Sequence, residues 1–150
     1  MPEYRSDLSL RPSEFQSSSS RQGRRFAEQC DELLASYGFE LRNRIVLPEI
    51  GVEIDQHAVS PLGNEVWFEY KGSIQGTRPG LKRTDTVKKA VANGALLGGL
   101  EVHPPYVVLA SHLPDSGAGL AMLKVARDLG YISDVICVYD PAQVNRLRNL

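Results

Sequence analysis

The sequence predicts an α/β domain in which a mixed β-sheet is flanked by helices. Three observations carry that expectation. An apolar stripe at helical spacing, Phe26, Cys30, Leu33, Leu34 and Tyr37, falls at i, i+4, i+7, i+8 and i+11. Runs of alternating polarity follow, separated by short turns, as in antiparallel hairpins. The second half then reads helix–strand–helix–strand with a continuous apolar run, the pattern of crossover units whose strands are covered on both faces.

Taken in order, residues 1–19 are polar, carry two prolines and most of the run Ser17-Ser18-Ser19-Ser20, and have no period. They are expected to be a loose arm ahead of a single domain over 20–150. The first helix spans 20–37, capped by Ser19 or Ser20 and stopped by Gly38. A first strand runs from Phe39 toward Leu47 and stops at Pro48. A second, Gly51 to Val59, puts Val52, Ile54 and Ala58 on one face and Glu53, Asp55 and His57 on the other. After the turn Pro61-Leu62-Gly63-Asn64, a third strand, Glu65 to Gly72, sets Val66, Phe68 and Tyr70 against Trp67, Glu69 and Lys71. These three runs are expected to form an antiparallel meander.

Residues 72–83 are glycine-rich and basic, hence a loop. Thr84 or Asp85 is expected to cap the second helix, which buries Val87, Ala90, Val91 and Gly94 or Ala95 and stops at Gly98-Gly99. Tyr106 to Ala110 is a fully buried strand. A third helix over 117–129 uses Leu120, Leu123 and Ala126-Arg127 as its stripe, Val135 to Tyr139 is the last strand, and Asp140-Pro141 opens a short terminal helix. The order is α-β-β-β-α-β-α-β-α.

Charge and composition bound the function. With 17 basic and 18 acidic residues the formal charge is −1, which excludes a protein whose bulk charge grips nucleic acid; any such role needs a local patch. No apolar run approaches the roughly 20 residues that span a bilayer, and the N-terminal stretch has no signal-peptide core. Cys30 and Cys137 lie far apart and fit no metal-ligand spacing. A reduced, cytoplasmic protein without a membrane partner is the expectation.

The informative segment is Asp55, a turn, then Glu69-Tyr70-Lys71. Glu69 and Lys71 share a face of the third strand, and Asp55 lies on the polar face of its neighbour. Glu and Lys on an otherwise apolar Val-Trp-Phe-Tyr strand cost desolvation unless they are paired or hold an ion. Two carboxylates at one spot repel, and Mg²⁺ resolves that with one or two carboxylates, leaving its other positions to water and phosphate. Lys71 then places positive charge beside a phosphate under attack and orients or deprotonates the attacking water. That set of parts suits metal-assisted phosphodiester hydrolysis. A plain cross-strand salt-bridge cluster on an exposed sheet face is the alternative reading of the same residues.

On these residues the chain resembles the PD-(D/E)xK, or restriction-endonuclease-like, nuclease superfamily, whose signature is an Asp, a variable gap and Glu-x-Lys on the next strand. The matching positions are Asp55, Glu69, Tyr70 and Lys71, with Ile54 in place of the proline. The family core, α-β-β-β-α-β, matches residues 20–112, and the last α-β unit is an addition. The resemblance implies a Mg²⁺-dependent DNA endonuclease, of restriction and defence type or of recombination and repair type, with Mn²⁺ as a substitute metal. Asp55, Glu69 and Lys71 are its catalytic residues, and Asp55, Glu69 and the Tyr70 backbone carbonyl its metal ligands. Many members add an acid from the first helix. Glu28, Asp31 and Glu32 are the candidates here, although Glu28 lies about 160° from Cys30 around the helix; Glu53 is a further option.

Arg78, Lys82, Arg83, Lys88 and Lys89 cluster just after the Lys71 strand and are the expected contacts to a nucleic-acid backbone. One compact domain makes one cut, so double-strand cleavage favours a homodimer. Two other functions fit the same fold: a non-catalytic nucleic-acid-binding or interaction module, and an RNA-cleaving toxin domain.

Overall fold

In a computed structural model that describes residues 19–72 and 79–150, helix α1 (Ser19–Ser36) leads into five strands: β1 (Glu40–Leu41), β2 (Ile45–Leu47), β3 (Val52–Ile54), β4 (Gln56–Val59) and β5 (Glu65–Lys71). Then come α2 (Thr84–Leu96), β6 (Tyr106–Ala110), α3 (Gly117–Asp128), β7 (Asp134–Cys137) and α4 (Pro141–Val144). Residues 1–18 of the expected arm and 73–78 of the basic loop lie outside the described residues.

The main sheet has the order β1-β4-β5-β6-β7. β1, β4 and β5 pair antiparallel, whereas β5, β6 and β7 run parallel. The chain is therefore α/β with a mixed five-stranded sheet. Residue parity on β5 and β6 divides the core. Phe26, Cys30, Leu33 and Leu34 of α1 pack with Val66, Phe68, Val107 and Leu109 on one face, joined by Val144 of α4. Val87 and Ala90 of α2 and Leu123 and Ala126 of α3 pack with Trp67, Tyr106, Val108 and Ala110 on the other. All five residues of β6 are buried because both faces are covered, and this is why Tyr106–Ala110 reads as an unbroken apolar run.

The first two alternating runs do not form single strands. Asn43 takes a left-handed conformation (φ 73°), which a short polar side chain tolerates, and splits the first run into β1 and β2. The second run bends at Asp55. Val52 and Ile54 therefore pack on the α2 face and Ala58 on the α1 face, so these three residues do not share one face as the alternation predicts. β2 and β3 form a separate two-stranded hairpin against the α2 face, and the antiparallel part of the main sheet is β1-β4-β5.

Smaller differences lie at element ends. α2 starts at Thr84, with Arg83 at the N-cap and no side-chain cap, so Thr84 and Asp85 sit inside the first turn, where the Asp85 charge suits the helix dipole. β7 starts and stops earlier than expected, at Asp134 and Cys137, and Cys137 is only partly buried. Asp140 caps α4 as the sequence suggests: its Oδ1 accepts the Ala142 N–H at 3.0 Å, with Pro141 at the first helical position.

Leu34 is fully buried between α1 and the sheet. Leu34→Ala is expected to cost about 2–5 kcal/mol, a Tm drop of roughly 4–20 °C for a chain of this size. Leu62→Ala, at a 67% exposed turn position, should change stability by less than about 0.5 kcal/mol. Thermal melts of the two variants compare them directly.

Candidate active site

The site forms where β4 ends. The β4–β5 register is Val59↔Glu65, Ala58↔Val66, His57↔Trp67 and Gln56↔Phe68; carried one step further, it sets Asp55 opposite Glu69. The backbone bends there instead of continuing the ladder. Trp67 and Lys71 bond toward β6 (Trp67 N to Pro105 O, Ser111 N to Lys71 O), so the even-numbered residues of β5 direct their N–H and C=O toward β4. The Tyr70 N–H thus faces an edge that β4 has left. The Asp55 carboxylate takes its place there, with Oδ2 accepting the Tyr70 N–H at 2.8 Å. The Tyr70 carbonyl shares that edge.

Glu69 and Lys71 project from the α2 face of β5. Lys71 Nζ lies 2.9 Å from Glu69 Oε2, with both side chains largely withdrawn from solvent. Glu69 itself is 5% exposed, and its Oε1 has no hydrogen-bond partner among the described residues. Burial pushes the Glu69 carboxyl above its ordinary range and the nearby Asp55 charge pushes it further, against the pull of Lys71 and Tyr106. Burial likewise raises Asp55, opposed by the Tyr70 N–H and by Lys71 and Arg44. Glu69 is thus buried, with Lys71 and Asp55 half-buried beside it, so the Glu69–Lys71 ion pair is not a pair on an exposed sheet face.

The opposite face of β5 holds the same peptide from behind. Tyr70 Oη donates to Asp31 Oδ1 of α1 at 2.6 Å, Gln56 Nε2 donates to the same oxygen at 3.1 Å, and Gln56 Oε1 accepts the Asn43 N–H at 2.6 Å. Asp31 thus acts on the site through the Tyr70 side chain, from the α1 side of the sheet. Gln56 was legible only as a polar residue with the parity of buried Ala58. Gly72 follows Lys71 because the Phe26 ring fills the space a side chain would need: an added Cβ would stand 2.2 Å from Phe26 Cδ2.

The two further acids are not brought to the pair. Glu28 is exposed on α1, which covers the other face of the sheet. Glu53 is exposed on β3 and paired with Arg44 at 3.2 Å. No three His, Cys, Asp or Glu side chains converge on a metal-sized site among the described residues. His57 lies beside Glu65 at 3.7 Å and opposite Trp67 in the β4–β5 register. Trp67 shares the Glu69 face as a buried wall, stacked on His103 at 6.3 Å between ring centroids. His112, just past β6, contacts Ser111 Oγ through Nδ1 at 2.9 Å, and burial aided by the Lys82 charge lowers its pKa.

Among the expected phosphate contacts, Lys82 and Arg83 are exposed on the turn that enters α2, and Lys88 is exposed within the helix. α2 starts at the end of the sheet where β5 finishes. Gly80 seats this turn against β6: φ is +57°, and an added Cβ would meet Ser111 Oγ at 2.7 Å. Arg78 lies outside the described residues.

Comparison with protein-family models, curated proteins and solved structures finds no match. No helix among the described residues is long and apolar enough to cross a membrane.

The donor set suits a hard divalent cation. It offers two carboxylates and a backbone carbonyl, with one buried carboxylate oxygen unpartnered, and Mg²⁺ uses one or two carboxylates and completes its shell with water. The raised pKa values also fix a sign. Between the ordinary carboxylate range and the raised folded-state values, the native chain holds protons that the unfolded chain has released, so metal-free stability falls as pH rises through that window. Urea melts across pH 4–8 should show this decline, and Glu69→Gln should flatten it.

Proposed function

We propose that this chain is a metal-dependent endonuclease of the restriction-endonuclease-like type, hydrolysing DNA phosphodiester bonds. The observation that carries the reading is that Asp55, at the break in β4, stands across from a buried Glu69 already paired with Lys71, at the carboxyl end of β5. Ligand sites of parallel sheets lie at that end. Asp55, Glu69 and the Tyr70 carbonyl would hold Mg²⁺ or Mn²⁺, which supplies positive charge to the oxygens of the scissile phosphate. Lys71 faces the attacking side, where it orients water and stabilises charge developing on the phosphoryl group. Water adds at phosphorus, one P–O ester bond breaks, and the leaving oxygen takes up a proton. Lys82, Arg83 and Lys88 lie exposed at the same end of the fold and would track the flanking phosphates. Cutting both strands would take two copies of the chain. A role in restriction and defence or in recombination and repair fits this chemistry equally.

The Lys71–Glu69 contact adds a consequence. A cation entering the site competes with Nζ for Glu69 Oε2, so removing the lysine separates binding from chemistry. In a plasmid-nicking assay with Mg²⁺, Mn²⁺ and EDTA, the wild type should cut only with metal, and Lys71→Ala should cut about 100-fold more slowly or worse. Calorimetry should show Lys71→Ala binding Mn²⁺ at least as tightly as wild type. Metal-independent DNA binding without cutting would favour a binding module, and degradation of RNA alone would favour the toxin reading.

A further inference from the structure

The α2 face of the sheet contains a second buried polar atom without a partner, next to the first. Tyr106 opens β6 and is 1% exposed. Its register partner is Trp67, so its side chain leaves the same face as Glu69, two residues further along β5. Its Oη has no hydrogen-bond partner among the described residues, as Glu69 Oε1 has none. The two groups are close enough for each to act on the other's acidity, and the Asn93 side chain of α2 also stands near the hydroxyl. A buried donor and a buried acceptor left unmade cost about 1–3 kcal/mol each. A small turn of the carboxylate, or one bridging water, joins them and removes both costs.

We propose that Tyr106 is the positioning residue for Glu69: its hydroxyl, backed by Asn93, takes Oε1 and fixes the carboxylate so that Oε2 is presented to Lys71 or to a metal ion. This deepens the nuclease reading and, in its metal-binding part, rests on it. The geometry gives the two oxygens separate tasks. Oε2 faces the cation, resident or exchangeable, while Oε1 anchors the group to the first residue of β6. An acid held at one oxygen keeps its direction when Lys71 moves off, whereas an acid held only by Lys71 does not. Tyr106 suits the task because it is a neutral donor in a site that already holds two acids. Ligand-orienting partners of this kind typically change metal affinity by about 10–100-fold.

The test has two arms. In the first, Tyr106→Phe is made in wild type and in Glu69→Met, and Tm is measured without metal. The expected result is a drop of roughly 3–9 °C when Glu69 is present and none when it is absent, because in the Met background the hydroxyl has lost its acceptor. Equal effects in the two backgrounds would overturn the pairing. In the second arm, Mn²⁺ is titrated into wild type and Tyr106→Phe and followed by electron paramagnetic resonance. A dissociation constant about 10-fold higher in Tyr106→Phe supports the positioning role, and equal constants overturn it while leaving the nuclease reading intact. Wild type that binds no Mn²⁺ overturns that reading and the metal-presenting part of this proposal, and the stability cycle then decides whether Tyr106 holds Glu69. The second arm needs only the loss of one oxygen, so it decides the matter where Glu69→Met does not fold.

Discussion

The hydrogen bond from the Tyr70 N–H to the Asp55 carboxylate is the contact on which the rest of the site depends. A strand as buried as β5 must pair its backbone on both edges, and β4 stops short of covering one of them. A side chain finishes the ladder in place of a backbone. Several features follow from that substitution. The chain turns at Asp55, so Val52 and Ile54 join the α2 core while Ala58 stays with α1. A carboxylate comes to rest at the edge of the sheet instead of in solvent. The Tyr70 carbonyl is left beside that carboxylate on an edge with no strand against it. A gap in pairing, which elsewhere would weaken a sheet, is here filled by a carboxylate.

The electrostatic arrangement has its own logic. Two acids in a partly dry position repel, and burial already disfavours their charged forms. Lys71 lowers that cost by standing 2.9 Å from Glu69, so the protein supplies its own cation to the buried acid. On the reverse face, Asp31 and Gln56 hold the Tyr70 side chain, which keeps the peptide between Glu69 and Lys71 from twisting. The site is thereby braced from both layers of the domain, by α1 through Tyr70 and by α2 through the surroundings of Tyr106.

What could be read from the sequence followed from local period. The stripe from Phe26 to Leu34, the parity of Glu69 and Lys71 on β5, and the unbroken run of β6 are set by neighbours a few residues apart, and each is found where the period places it. The splitting of the first two strands was not legible, because it depends on contacts made across the fold. Alternation from Gly51 to Val59 is unbroken in sequence, yet a bond from Asp55 to a residue on another strand rotates the chain between Ile54 and Gln56. The brace built on Gln56 and Asp31 was hidden for the same reason: a glutamine on a strand and an aspartate at the edge of a helical stripe carry no mark of each other. Tyr106 read as one more apolar core residue, since its ring dominates its hydropathy and its hydroxyl matters only beside Glu69. Glu28 lies on the exposed side of α1, as the helical angle from Cys30 implied.

Gly72 and Phe26 form a mechanical pair. The Phe26 ring is at once a fully buried side chain of α1 and the wall against which the chain leaves β5. The exit of the backbone after Lys71 is therefore constrained by how α1 docks. Whatever shifts α1 along the sheet also shifts the point at which the chain leaves β5. The packing of α1 at the centre of the domain and the exit of the chain from the strand that bears Glu69 and Lys71 therefore form one mechanical unit.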